Sequence, residues 1–245
     1  MKLRGLLLLL LALAGAGPAR AQDLVADLSS HLIAVTTGFS GTSLLLFGAT
    51  QGEGDVIVLV RGPDRPETVR RKRRVLGLWV NRDAFTFRAV PSFYAIASSK
   101  PLAEILDAGM RKQLELGLDN LRLPPASGQP GGRYGEYREA LVGQQQKQQH
   151  FPLAGGRVAF LGPRLFRTDV AFPSSVPTGD YTVTVYLVRD GAISTAQTTP
   201  LVVSKLGVSA RISDFALQNP AVHGVIAVAL SMVVGLAAGV VLRKV

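Results

Sequence analysis

The sequence predicts a mainly β chain: one β-sandwich or two, a central helical insertion and one C-terminal transmembrane helix. Three observations carry that reading. Short runs alternate apolar and polar residues between Gly and Pro punctuation, one stretch repeats its apolar residues at helical spacing, and a long apolar segment lies near the C-terminus. The 245 residues are 47% hydrophobic and only 18% charged, too apolar for a disordered chain and enough for one large core. Cysteine is absent, which removes disulfide frameworks, thiolate metal sites and cysteine nucleophiles together.

Taken in chain order, residues 1–21 read as a secretory signal peptide. Met1-Lys2-Leu3-Arg4 supplies the charged start, Leu6 to Ala14 the short apolar run, and Ala19 and Ala21 the small residues of a cleavage site. Residues 22–100 form a β-rich region, with strand-like runs at Leu32–Thr36, Thr42–Gly48, Val56–Arg61, Val75–Val80 and Phe85–Val90. Residues 101–150 read as a helical hairpin. Leu102, Ile105, Leu106, Met110, Leu114 and Leu118 fall on one helical face, Pro124 to Gly132 makes a flexible break, and Gly135–His150 offers a second helix with a glutamine-rich face.

A second β-rich region spans 151–215, with runs at Val158–Phe160 and Phe166–Phe172. From Tyr181 to Val188 the alternation puts Tyr181, Val183, Val185 and Leu187 on one side. Arg189-Asp190-Gly191 then predicts a tight hairpin into Ala192–Thr198. Turn, strand and Asp-Gly in this order are similar to bacterial immunoglobulin-like modules, and the sandwich is expected to be of that type. Residues 220–242 carry only His223 and Ser231 as clearly polar side chains and rise about 34 Å as a helix, enough to cross a bilayer. The tail 243–245 contains Arg243 and Lys244, so it stays cytoplasmic and the preceding domain lies outside, in the periplasm. Ala227, Ser231, Gly235 and Gly239 recur every four residues and offer a helix-packing face.

The formal charge is +10, and its excess in the exported part is concentrated in one place. Arg61, Arg65, Arg70, Arg71, Lys72, Arg73 and Arg74 face only Asp64 and Glu67 within 61–74. Such a run attracts anions within a Debye length, about 8 Å at physiological salt. The first reading of the run is a solvated, aggregation-blocking edge strand; anionic lipid headgroups or envelope polymers also fit it, as do an acidic protein and, last, a small oxyanion held by guanidinium forks. Nucleic acid is not expected, because the domain is exported and the run lacks interleaved aromatics. Trp79, which follows, reads as a core anchor.

Three histidines, His31, His150 and His223, form no ligand pair, so no metal or other cofactor is expected. Gly38-Phe39-Ser40-Gly41-Thr42 approaches a nucleophile elbow but has Thr42 where the motif needs glycine, and Ser40 reads as a turn residue. Glu104 and Asp107, at i and i+3, read as surface residues of the amphipathic helix. No catalytic residue is assigned and the chain is not read as an enzyme.

Gly62-Pro63, the stretch from Val69-Arg70-Arg71-Lys72 to Gly77-Leu78-Trp79-Val80-Asn81, Val90 to Ser98, Pro177-Thr178-Gly179-Asp180-Tyr181 and Phe215-Ala216 with Pro220 carry a family likeness. On these residues the chain resembles the alphaproteobacterial putative transmembrane proteins, exported single-pass proteins of unknown function. The resemblance implies a periplasmic domain tethered to the inner membrane, with no known active site, and members look like neighbours of sulfite-exporter-type permeases. The expected function is a non-enzymatic interaction domain, an accessory subunit of an integral membrane protein such as a transporter. The alternative is a binding module for an anionic envelope component through 61–74; a third reading, an envelope hydrolase, requires a deep polar pocket.

Overall fold

The structure, a computed structural model, describes residues 23–75, 78–128, 131–152 and 155–205, with helical positions at 220, 222–225, 227–229, 231–232 and 235; the side chains of 72–82 and 131 are not included. The expected signal peptide and cytoplasmic tail lie outside these residues, as do Gly239 and all of 236–242. Among the described residues no helix is long and apolar enough to cross a membrane.

Among the described residues there are twelve strands: β1 (Leu24–Leu28), β2 (Leu32–Val35), β3 (Gly41–Thr50), β4 (Asp55–Arg61), β5 (Asp64–Val75), β6 (Leu78–Pro91), β7 (Tyr94–Ser98), β8 (Gly156–Arg157), β9 (Ala159–Phe160), β10 (Leu165–Pro173), β11 (Gly179–Arg189) and β12 (Ala192–Lys205). They form a four-stranded sheet in the order β1-β3-β10-β9, a six-stranded sheet in the order β2-β12-β11-β4-β7-β8, and a two-stranded ribbon, β5-β6. Each of the two larger sheets draws strands from both β-rich stretches of the sequence, so one sandwich is built from the two together. β2 lies parallel to β12, whereas β1, only a few residues earlier, pairs with β3 in the opposite sheet. Gln197 of β12 closes that edge: its amide accepts from the Ala26 N–H at 2.9 Å and donates to the Ala26 carbonyl at 2.7 Å.

Alternation decides what fills the sandwich. Tyr181, Val183, Val185 and Leu187 all enter the core between the sheets, as the period of two requires, opposite Leu24, Leu46 and Phe166. β4 behaves differently because its Val56-Ile57-Val58-Leu59-Val60 run has no polar member. Val56, Val58 and Val60 enter the sandwich core, while Ile57 and Leu59 enter a second core on the outer side of the six-stranded sheet. The molecule therefore has three layers, and β4 is buried on both faces. Among the described residues nothing covers the outer face of the four-stranded sheet, where Val25, Phe47 and Leu165 are exposed.

The outer layer corrects the helical-hairpin reading. A single amphipathic helix over 102–118 is replaced by two short ones, α1 (Leu102–Ile105) and α2 (Ala108–Gln113), with Leu106 extended between them. The break is made by Asp107, whose carboxylate accepts from the Met110 N–H at 2.6 Å and starts a fresh helix. Glu104 and Asp107 consequently do not share a helix. The segment around Pro124 is not a free break either: Pro124 accepts from the Arg88 N–H, and the Ala126 N–H reaches Thr86, stitching it to the edge of β6. α3 (Tyr134–Lys147) then packs Tyr134, Tyr137 and Leu141 against Phe85 and Phe87 of β6.

Two turns fix the strand order locally. Asp190 and Gly191 both adopt positive φ, 51° and 73°, the pair that a two-residue hairpin with right-handed twist demands between β11 and β12. At the other end of β11, the Tyr181 hydroxyl donates to the Pro177 carbonyl at 2.5 Å. Burial pushes this phenol up to about 12, so it remains a donor at any physiological pH.

Candidate functional site

β4 and β5 are one chain path, and so are β6 and β7. Arg61 pairs with Tyr94, the Gly62 N–H donates to Phe93, the Ser92 N–H donates to Pro63, and Asp64 pairs with Pro91, all in one register. The ribbon is thus the hairpin of β4 and β7 continued past the end of the six-stranded sheet. β4 and β12 run the same way, because both are antiparallel to β11. The ribbon therefore leaves the sheet at the end where β12 departs toward residues 220–235.

An open groove of about 1100 Å³ lies beside the base of this ribbon, between the β4–β5 junction, the segment after α2 and the start of α3. Its rim carries Arg61, Asp64, Lys112, Glu115, Arg122 and Arg138, and part of its floor is apolar, formed by Leu121, Leu123, Pro124 and Pro125. Glu115 is the centre of the charge network. Its two carboxylate oxygens accept from Arg61 Nη1 at 3.0 Å and Arg122 Nε at 2.8 Å, and Arg61 also donates to Asp64 at 3.0 Å. Burial alone would raise the Glu115 carboxyl, but the hydrogen bond and charge of Arg61, joined by Arg122, outweigh it and hold the group below the usual carboxylate range.

The backbone holds Glu115 in that position. Its φ is 55°, in the left-handed region that a non-glycine residue occupies only when its surroundings fix it. The Tyr94 hydroxyl supplies the fixing contact, donating to the Glu115 carbonyl at 2.5 Å and accepting from the Gly117 N–H at 3.0 Å. Burial pushes the Tyr94 phenol well above its ordinary value. On the far wall Arg138 donates to the carbonyls of Leu118, Asp119 and Leu121, and Tyr134 donates to Leu123, so the irregular segment is tied to α3. With both oxygens engaged and its proton affinity lowered, Glu115 acts as a fixed counter-charge and makes a poor general base.

Replacing Glu115 with glutamine is expected to cost about 1–3 kcal/mol at neutral pH, the range for losing hydrogen bonds to a charged group. Because the folded-state pKa lies below the unfolded one, this contribution is present above about pH 4.3 and disappears as pH falls through the folded value. Urea denaturation of both forms from pH 7 down to pH 3 measures it; a gap that persists unchanged into acid would contradict the assignment.

The structure separates the seven basic residues that the sequence grouped. Arg61 belongs to the groove. Arg65 donates to the Thr178 carbonyl, and Arg71 pairs with Glu136 of α3 at 3.1 Å. Arg70 is exposed on the ribbon, where Lys72, Arg73 and Arg74 pair in register with Asn81, Val80 and Trp79. The side chains of those three, and that of Trp79, lie outside the described residues. On the segment expected to pack against another helix, the Ser231 hydroxyl donates to the Ala227 carbonyl at 2.8 Å. Glu115, Tyr94, Arg122 and Arg138 were not singled out in the sequence; one signal was present, the lone Glu115 amid leucines where the helical period fails.

A model of the family described as "Putative transmembrane protein" matches residues 23–244, nearly the whole chain. The chain belongs to this family. No curated protein matches it. Among solved structures, one similar chain comes from work on the structural basis of T cell specificity and activation by the bacterial superantigen toxic shock syndrome toxin-1. It is 9% identical, with 75% of this chain and 99% of that chain covered and a TM-score of 0.26. The family match spans both the sandwich and the apolar segment beyond it, so the two belong to one family unit and not to a domain fused to an unrelated tail.

Proposed function

We propose that this family member is a membrane-anchored interaction domain that works outside the cytoplasm as an accessory subunit of an integral membrane protein, without bond-making chemistry of its own. In this reading residues 1–21 direct export, 220–242 form a single span with its packing face at Ala227, Ser231, Gly235 and Gly239, and the sandwich is immunoglobulin-like. The parallel β2–β12 edge and the Tyr181–Pro177 hydrogen bond at the start of β11 support the last point, since both recur in sandwiches of that type.

The observation that carries the proposal is the coincidence at one end of the molecule. The groove rim, the ribbon base and the departing β12 share the same end of the six-stranded sheet, with Lys205 about 17 Å beyond the row of Arg61, five residues at the strand repeat. A rim of both charge signs over an apolar floor suits a segment of a protein partner. A partner held in the same bilayer would meet that end first.

Photocrosslinking in cells from position 112, at the rim, tests this. The expected adduct contains an integral membrane protein and is lost when Glu115→Lys inverts the central charge. Adducts of the chain with itself alone, or an adduct indifferent to Glu115→Lys, would overturn the proposal.

A further inference from the structure

The outer part of the ribbon is chemically different from its base. At the base, Arg61 is engaged with Glu115 and Asp64 and Arg65 with the Thr178 carbonyl, while Arg88 of β6 is exposed. Farther out, two ion pairs tie the ribbon to the start of α3, Arg71 to Glu136 at 3.1 Å and Arg133 to Asp83 at 3.5 Å. Beyond that level the sequence from Lys72 to Arg82 contains no acidic residue. The register shift leaves Arg82 unpaired between the Arg71–Asp83 and Lys72–Asn81 pairs, so a fourth cation of the outer ribbon returns next to Lys72 across the hairpin, which a linear reading of 61–74 misses. The same register places apolar Val75 opposite Leu78, Val80 opposite Arg73 and Trp79 opposite Arg74, at the far end of the ribbon.

We propose that this outer part, with Lys72, Arg73, Arg74 and Arg82 as a cationic collar, Val80 and Trp79 level with it and Val75 and Leu78 beyond it, docks on the anionic headgroup surface of the bilayer that holds the chain. This rests on the anchoring reading above in one respect, the direction of the ribbon: it leaves the six-stranded sheet at the end from which β12 departs toward the anchor. From Asp64 to Val75 the ribbon extends at most about 40 Å, and the chain from 206 to 219 spans at most about 50 Å, so chain length allows the tip and the anchor a common surface. Cations near an anionic leaflet are attracted individually, and tryptophan favours the headgroup level because one edge of its ring is polar. Apolar residues beyond a basic collar match the order of headgroups and acyl chains along the bilayer normal.

Trp79 is the single tryptophan of the protein, so its emission reports the ribbon directly. The full chain is reconstituted into vesicles of phosphatidylcholine alone and of phosphatidylcholine with phosphatidylglycerol, and acrylamide and brominated-lipid quenching are measured. In the anionic vesicles Trp79 is expected to be blue-shifted, shielded from acrylamide and quenched by brominated lipid. Raising salt to 1 M, where the Debye length is about 3 Å, should reverse all three. The combined variant Lys72→Gln, Arg73→Gln, Arg74→Gln and Arg82→Gln should lower the docked population by roughly fivefold for each charge removed.

The companion variant Arg73→Lys, Arg74→Lys and Arg82→Lys should dock like the natural chain, because headgroup attraction reads charge and not guanidinium geometry. Equal acrylamide access in the two vesicle types overturns the proposal. So does loss of docking in the lysine variant, which would assign the collar to a protein carboxylate recognised in bidentate fashion. Flotation after a carbonate wash reads the anchor separately. A chain that floats only with anionic vesicles, and only at low salt, removes the anchoring reading and keeps the ribbon; one that floats with both while Trp79 stays exposed does the reverse.

Discussion

Replacing Phe87 with alanine is expected to remove about 3–5 kcal/mol of stability, the range for deleting a fully buried aromatic ring. Phe87 is 0% exposed, 4.9 Å from the Phe85 ring and 5.9 Å from that of Tyr134. It joins the ribbon to α3, so the cavity opens inside the outer layer and leaves the sandwich core intact. Amide exchange should therefore accelerate across 114–123 and 134–147 before it does in β1, β3 and β10. The groove is built from those same segments, and Phe87→Ala should loosen Glu115 without touching its ion pairs. Uniform acceleration across all three layers would show that they unfold as a single unit.

Gly48→Ala is the second large effect, in a different place and for a different reason. A Cβ at this position would stand 2.5 Å from the Val25 carbonyl oxygen and 2.5 Å from the Phe166 ring. The ring could turn, but the carbonyl belongs to the backbone of β1, paired with β3 in fixed register. The strands must separate locally, at about 3 kcal/mol, the upper end of ordinary overpacking. Gly143→Ala supplies the contrast: it lies within α3 with nothing near its Cβ and should stabilise by about 0.5–1 kcal/mol. Denaturation midpoints of both variants, measured in the same detergent, check the pair; comparable losses would contradict the packing described around β3.

These two sites also show what was legible in the sequence. The sandwich was, because Val183, Val185 and Leu187 alternate with polar neighbours and nothing but a half-buried strand explains the pattern. β4 was legible as a strand but not as the strand between two cores, since Val56-Ile57-Val58-Leu59-Val60 has no polar member to mark a face. β5 was obscured by its own charge: a run of arginines and lysine carries no apolar period, and its pairing with β6 is set by the register inherited from β4 and β7. The helical stretch failed at Asp107, a residue type that starts helices more readily than it continues them. Of the groove's charged rim, only Arg61 and Asp64 were noticed, as members of a run. The partner of Arg61, Glu115, is 54 residues away and reaches it only because Tyr94 holds an irregular segment in place.

The unbroken path from β4 into the ribbon makes the hairpin a mechanical lever. Its inner arm is clamped between β11 and β7 by ladders on both sides, and its faces are buried in two cores. A tug along the ribbon loads those rungs in shear, all at once, and cannot peel them singly. Tension applied at the tip would thus be delivered to a strand that is paired on both edges and buried on both faces.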